Sequence, residues 1–541
     1  MFAALVFCTF ASLPSPQEPP PAPPARGLQL DNGTIFTGTN QLWRGPLCAR
    51  YDRIDHTAGN ARAPVIDLDS AFVVPGLQDA HGHLLGLGTA LAEVDLVGTT
   101  SFAEVVARAA AKAAALPPGE WVLGRGWDQN DWPDTAMPHH RALSAAIPDH
   151  PVWLVRVDGH AGLANRAALS AAGITRDTRA AAGGEVLFDA DGEPTGVLVD
   201  QAMDAIQLPS LTPAQLRERL LAAHDACLRH GLTCVHDAGV SRAVLDTMLA
   251  LHAEGRWQLR TYVLLDANER ELIERGVWQT GDARIVVRAV KAYADGALGS
   301  RGAVLLEPYR DRPAWKGLLL NTRAGIQELA QRCADHGMQL CVHAIGDAAN
   351  RAVLDAYEAV ECDGLFAERR FRIEHAQVVA EADFARFDAL GVLPSMQPTH
   401  LTSDMPWAPA RLGPERTARA YAWRRFLRLG VVVPFGSDFP VESVDPRRGI
   451  YAAVTTRRLD GGEELRPEQR LSREEALRGF TLHAAIAMFA EQKLGTIEVG
   501  KFADFTVFDR DLRTCPEADI LQAKVLLTVI GGQVVYDGRG R

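Results

Sequence analysis

Eight short apolar runs, several of them separated by stretches that read as amphipathic helix, constrain this chain more than any other feature. The runs are VVPGLQDAH, LTCVHDAG, LRTYVLLD, VVRAVKAYADG, MQLCVHAIG, FRIEHAQV, VLPSMQP and VVVPFGSD. Helical patterns such as PAQLRERLLAAHDACLRHG and TRAGIQELAQRCADHG lie between them, the second ending at Gly337, a residue suited to a helix C-cap. Strand, helix, strand repetition argues for a parallel sheet. Eight is also the count that closes a (β/α)8 barrel. An open doubly wound sheet is the alternative, weakened by the lack of a GxGxxG after a first strand.

The two ends have another character. LQLDNGTIFTG and APVIDLDSAFVVPG near the start, and KLGTIEVGKFADFTVFD and AKVLLTVIGGQVVYDGRG near the finish, carry Val, Ile, Thr and Phe broken by Gly and Asp turns. They predict one small β-rich domain built from both termini, residues 27–74 with 494–541, around a barrel over 75–493. One barrel connection, about residues 100–210, is too long for a simple crossover. It holds GRGWDQNDWPD and a hairpin signal at Asp191-Gly192. An insertion there is expected to overhang the C-terminal mouth of the barrel, where sites of this fold sit. Trp127 and Trp132 within it would either wall that site or pack the insertion's own core.

Residues 1–26 stand apart from the fold. MFAALVFCTFASLPS followed by QEPPPAPPARG reads as an export signal with a Pro-rich tether, or as a disordered tail, so an exported and a cytoplasmic protein both fit. Of 541 residues, 47% are hydrophobic and 23% charged, which allows a large core, and the net charge of −11 disfavours nucleic acid as a partner. No apolar run approaches the roughly 20 residues of a membrane span. The eight cysteines form no CxxC pair and read as small buried hydrophobes.

Groups able to bind metal gather at the ends of the runs. His81 and His83 close the first, Lys291 interrupts the fourth, His343 closes the fifth, His375 the sixth and Asp438 the eighth. Strand alternation has period two, so His81 and His83 share one face. Two imidazoles at a barrel mouth are costly if left unsatisfied, and a divalent cation satisfies both. Each residue alone has a bland reading: a hydrogen-bonded His, a snorkelling Lys, a turn-capping Asp. Six such groups on five runs are far more specific together. His236, ending the second run, is a further candidate to line the pocket.

These motifs make the chain recognisable. VVPGLQDAHGH, VDGHAGLANRAAL, GEPTGVL, KAYADGALGSRGA, VHAIGD, IEHAQ, GSDFPV and LGTIEVGKFADFTVFD resemble those of the metal-dependent amidohydrolase superfamily, in its YtcJ-like branch. The resemblance implies a (β/α)8 barrel with a composite β-sandwich and hydrolysis of a C–N bond in an N-acyl or N-formyl amine. It implies that His81 and His83 hold one metal with Asp438, and that His343 and His375 hold a second. Lys291 matches a position carboxylated in many relatives, where it bridges two ions; an unmodified Lys⁺ has no lone pair to offer. Asp438 would move the proton of a metal-activated water, and His160 would meet the substrate carbonyl. Imidazole and carboxylate ligands suit Zn²⁺, and also Fe²⁺, Mn²⁺ or Co²⁺, as one or two ions. The expected partner is a small-molecule amide, and a homo-oligomer is compatible with the chain.

Two other readings compete. A hydrolytic deaminase of the same superfamily would carry an acid three residues after His343, where this chain has Gly346 and only then Asp347. A barrel that has lost catalysis and serves as a binding or assembly module would lack one or more ligand positions, and here all are filled.

Overall fold

Seven of the eight runs form parallel strands: Leu77–Gly82, Leu232–Val240, Arg260–Asp266, Ile285–Tyr293, Gln339–Ala344, Arg372–His375 and Leu393–Ser395. They pair in chain order within one sheet. The eighth run closes the ring, with Phe435 in a parallel bridge to Met396 and Phe439 in another to Gly82. This computed structural model describes residues 27–39, 41, 43–57, 63–157, 159, 161–179, 184–360 and 366–540. The candidate export signal and tether, together with His160, Cys8 and Cys362, lie outside the described residues.

Strand alternation sorts the barrel's side chains. Val235, Val263, Val290, Leu340, Val342 and Ile373 join the large core shared with the surrounding helices. Cys234, Tyr262, Leu264, Ala289 and Cys341 form a separate cluster with Met488, Leu494 and Phe502. That cluster fills the lower lumen, so the barrel is packed rather than hollow. The helix Arg323–Asp335 ends where its sequence says it should, at a left-handed Gly337 with φ of 69°.

Both chain ends build the small β domain. One sheet holds Gly27–Asp31, Leu47–Arg50, Arg53–Asp55 and Val65–Asp67; the other mixes Phe72–Pro75 with Phe505–Phe508, Val525–Ile530 and Gln533–Asp537. Phe72–Pro75 runs antiparallel to Phe505–Phe508, which ties the first barrel strand to the C-terminal sheet. Below the barrel, Arg260 donates to Asp504 at 2.6 and 3.1 Å, both residues buried.

The insertion is a folded unit with a six-stranded sheet between Val94 and Asp200. Its hairpin turns at Asp191-Gly192, with Gly192 at φ of 74°. Trp127 and Trp132 are buried in the insertion's own core, their indoles donating to the carbonyls of Leu154 and Thr99 at 2.8 and 2.9 Å. Of the two sequence readings for these tryptophans, core packing holds.

The chain enters the insertion through the helix Leu84–Ala92, which packs on Pro213–Arg229, the helix that returns it to the barrel. A Cβ at Gly88 would lie 2.0 Å from the Arg219 carbonyl oxygen. Backbone cannot yield as a side chain can, so Gly88→Ala is expected to cost about 1–3 kcal/mol by overpacking. Calorimetry should show a lower unfolding midpoint; an unchanged midpoint would contradict the close crossing. Among the described residues no helix is long and apolar enough to cross a membrane. Cys48, Cys227, Cys234, Cys333 and Cys341 are buried, and none is in a disulfide.

Candidate metal centre

The six groups singled out in the sequence meet at the C-terminal rim of the barrel. His81 Nε2 lies 3.1 Å from Lys291 Nζ and 3.5 Å from Asp438 Oδ1. His83 Nε2 is 3.2 Å from the same carboxylate oxygen. Ring centroids are 5.4 Å apart for His81 and His83, 5.1 Å for His81 and His375, and 4.5 Å for His343 and His375.

Backbone conformation does part of this positioning. Alternation in Arg372–His375 sends Arg372 and Glu374 into the lumen and would turn His375 away. His375 and Ala376 instead adopt φ of 73° and 41°, and that left-handed turn brings the imidazole back over the rim. Asp438 sits at φ of 62°, its amide donating to the His81 carbonyl at 2.7 Å. Non-glycine residues held in this region cost of order 1–3 kcal/mol each and cluster at functional sites.

Each of three imidazoles has its Nδ1 occupied by an oxygen acceptor. His81 Nδ1 faces Glu374 Oε2 at 2.5 Å, His83 Nδ1 the Ala238 carbonyl at 2.9 Å, and His375 Nδ1 Gln397 Oε1 at 2.8 Å. A proton fixed on Nδ1 leaves Nε2 as the lone-pair nitrogen, the tautomer a cation needs. Glu374 is in turn held by buried Arg372, whose Nη2 donates to Oε2 at 2.9 Å and whose Nε lies 2.7 Å from Oε1. Arg372 also donates to the Ala80 carbonyl, to Ser395 Oγ and, through Nη1, to His236 Nδ1 at 3.0 Å. His236 therefore lies in the fully buried layer beneath the rim.

At His83 burial is outweighed by the Asp438 carboxylate at Nε2, which raises that imidazole; at His81, His343 and His375 burial favours the neutral ring. It pulls His81 down to about 4 and His343 to about 3, with the Lys291 charge adding to each, and holds His375 well below its usual value. Burial also lowers Lys291. At Asp438 burial pushes upward, but the His83 hydrogen bond and the surrounding imidazoles outweigh it and keep the carboxyl well below the usual carboxylate range. Neutral imidazoles beside one ionised carboxylate are the donor set of a divalent cation site.

His343 projects beside this group, its buried Nε2 3.6 Å from Asp295 Oδ1 and without a hydrogen-bond partner. One rim histidine escaped the sequence reading. His400, on the helix Pro398–Asp404 after the seventh strand, stacks on His375 with centroids 5.9 Å apart, its Nε2 3.8 Å from Asp438 Oδ2. Among the described residues, the donor atoms of His81, His83 and Asp438 lie within 4.8 Å of one another, as do those of His375, His400 and Asp438.

A family model described as the amidohydrolase family matches residues 64–536, which takes in the barrel, the insertion and most of the β-sandwich. The chain belongs to this amidohydrolase family. It is 34% identical over 502 residues to the putative amidohydrolase YtcJ of Bacillus subtilis, covering 90% of this chain and 93% of that protein. It is 28% identical to the N-substituted formamide deformylase of Arthrobacter pascens, covering 88% and 91% respectively. Its fold matches the crystal structure of an uncharacterized metal-dependent hydrolase from Pyrococcus furiosus with a TM-score of 0.76 and 30% identity, covering 90% of this chain and all of that one.

A cleft of about 850 Å³ opens beside the rim. His83, Asp237, Gly239, Pro440 and Val441 line it, and Arg125 and Glu93 reach it from the insertion and the helix before it. Substrate-sized volume therefore adjoins His83 directly.

Proposed function

We propose that the chain is a metal-dependent hydrolase that cleaves the C–N bond of an N-acyl or N-formyl amine. The observation that carries this reading is the convergence of three imidazole Nε2 atoms, each on a ring whose Nδ1 faces an oxygen acceptor, around the ionised Asp438. The deformylase of Arthrobacter pascens supports the choice of bond. His81, His83, Lys291, His343, His375 and Asp438 would hold one or two divalent ions, Zn²⁺ first among them. Lys291 would carry a carboxylate on its amine: buried and lowered in pKa, it is nearer the neutral form that adds CO₂. Bicarbonate is then expected to raise the activity regained by metal-free protein, and indifference to it would argue against that modification.

A cation bound there lowers the pKa of a water toward about 7 and polarises a carbonyl oxygen. The chain's own groups do the rest. His81 stays neutral, and both His81 and His83 hold their Nε2 atoms toward the centre. Asp438 accepts the water proton on its carboxylate and returns it to the leaving nitrogen. The insertion, through Arg125 at the cleft, would wall the substrate, and His160 would meet its carbonyl.

Asp438→Asn keeps the shape but not the base, and is expected to lower kcat by about 10²–10⁴-fold while His81 and His83 still retain a cation. Turnover near the wild-type rate would remove Asp438 from the proton path. The deaminase reading is weakened by Asp347, whose Oδ1 accepts from the Leu306 amide at 2.8 Å while Oδ2 faces Arg419 Nη2 at 3.7 Å. Assay of N-formyl, N-acetyl and N-acyl-amino-acid compounds on metal-loaded protein tests the proposal. Release of free amine supports it; release of ammonia from amino-heterocycles alone would favour deamination.

A further inference from the structure

His400 is the rim histidine that the six-residue set does not use. Its side chain is 12% exposed and its Nε2 is buried without a hydrogen-bond partner, although an acceptor-rich centre lies beside it. A buried imidazole nitrogen left unsatisfied is unfavourable, and a bound cation would satisfy it. The two oxygens of Asp438 divide the rim. Oδ1 faces His81 and His83 at 3.5 and 3.2 Å, while Oδ2 faces His400 at 3.8 Å. On that second side His375 has its Nδ1 on Gln397, leaving Nε2 as the lone-pair nitrogen. Two imidazoles and one carboxylate oxygen thus lie within 4.8 Å of one another, the donor types and number of a three-ligand divalent site.

We propose that His375, His400 and Oδ2 of Asp438 form a second cation position, with His400 as a ligand. The position rests on the reading of the chain as a cation-dependent hydrolase, and it adds a ligand from the helix after the seventh strand. Pro398 opens that helix and its Asp404 accepts from Gln377 and Tyr421 at 2.6 and 2.7 Å, so His400 stands on an anchored element rather than a free loop.

Chelator-stripped full-length protein titrated with Co²⁺, followed by visible absorption and by bound metal after dialysis, tests this. Wild type is expected to bind two equivalents. His400→Gln is expected to bind one, or to weaken the second by more than about tenfold, with an unchanged unfolding midpoint as the folding control. His400→Cys restores a donor and is expected to regain the second equivalent, with a thiolate-to-cobalt charge-transfer band in the near ultraviolet that no structural role would produce. Two equivalents of unchanged affinity in His400→Gln, or one equivalent in wild type, would overturn the proposal. No bound cation at all in wild type would instead bring down the hydrolase reading beneath it.

Discussion

Replacing His81 with alanine is expected to abolish turnover, by at least about a thousandfold, and to cut bound metal together with it. The reason lies in how many partners this ring organises. Its Nε2 faces Asp438 and Lys291 on the rim, and its Nδ1 is the contact between the rim and the buried Glu374. Alanine removes the lone pair and leaves the Glu374 carboxylate facing a void. Without a cation, water keeps its bulk pKa instead of one near about 7, so the nucleophile is lost as well as the ligand. Metal content by mass spectrometry and turnover on one substrate should fall in parallel. Activity retained at a tenth of wild type would mean that the HxH pair is not the centre of the chemistry.

The second large effect is on stability. Glu374→Ala is expected to destabilise the fold by about 3–5 kcal/mol, because it leaves the Arg372 guanidinium charged and unpaired in the barrel lumen. Both side chains are fully buried. Arg372 is held by four groups on four strands, so it cannot swing to water when its carboxylate is lost. Glu374→Gln keeps the shape and one acceptor oxygen, and should lose less stability but still weaken metal binding about 10–100-fold, since His81 then loses the carboxylate that fixes its tautomer. Denaturant unfolding and metal competition read the two effects separately. A Glu374→Ala protein as stable as wild type would show that the buried pair is dispensable.

Much of this was legible in the sequence. The eight runs count correctly because barrel strands must present one face to helices and one to the lumen, which makes them short and apolar. His81 and His83 read as a pair because period two survives to the end of their strand. The signal fails where the backbone departs from that period. Glu374 and His375 are neighbours, so alternation puts them on opposite faces, and only the left-handed φ of 73° at His375 lets both serve the site. His400 was invisible for another reason. It stands on a helix beyond its strand, in QPTH, where neither alternation nor strand-end position marks it. Trp127 and Trp132 were ambiguous because composition does not say whether an aromatic cluster faces a site or its own unit; six strands in the insertion supply a core that takes them.

Anomalous diffraction from crystals of zinc-loaded protein would locate the bound cation itself. A peak is expected at the barrel rim about 2.0–2.1 Å from Nε2 of His81 and of His83, with Asp438 beside it. Crystals grown in excess zinc that show no peak between these residues, or that show their imidazoles turned away from a common point, would contradict the shared cation site.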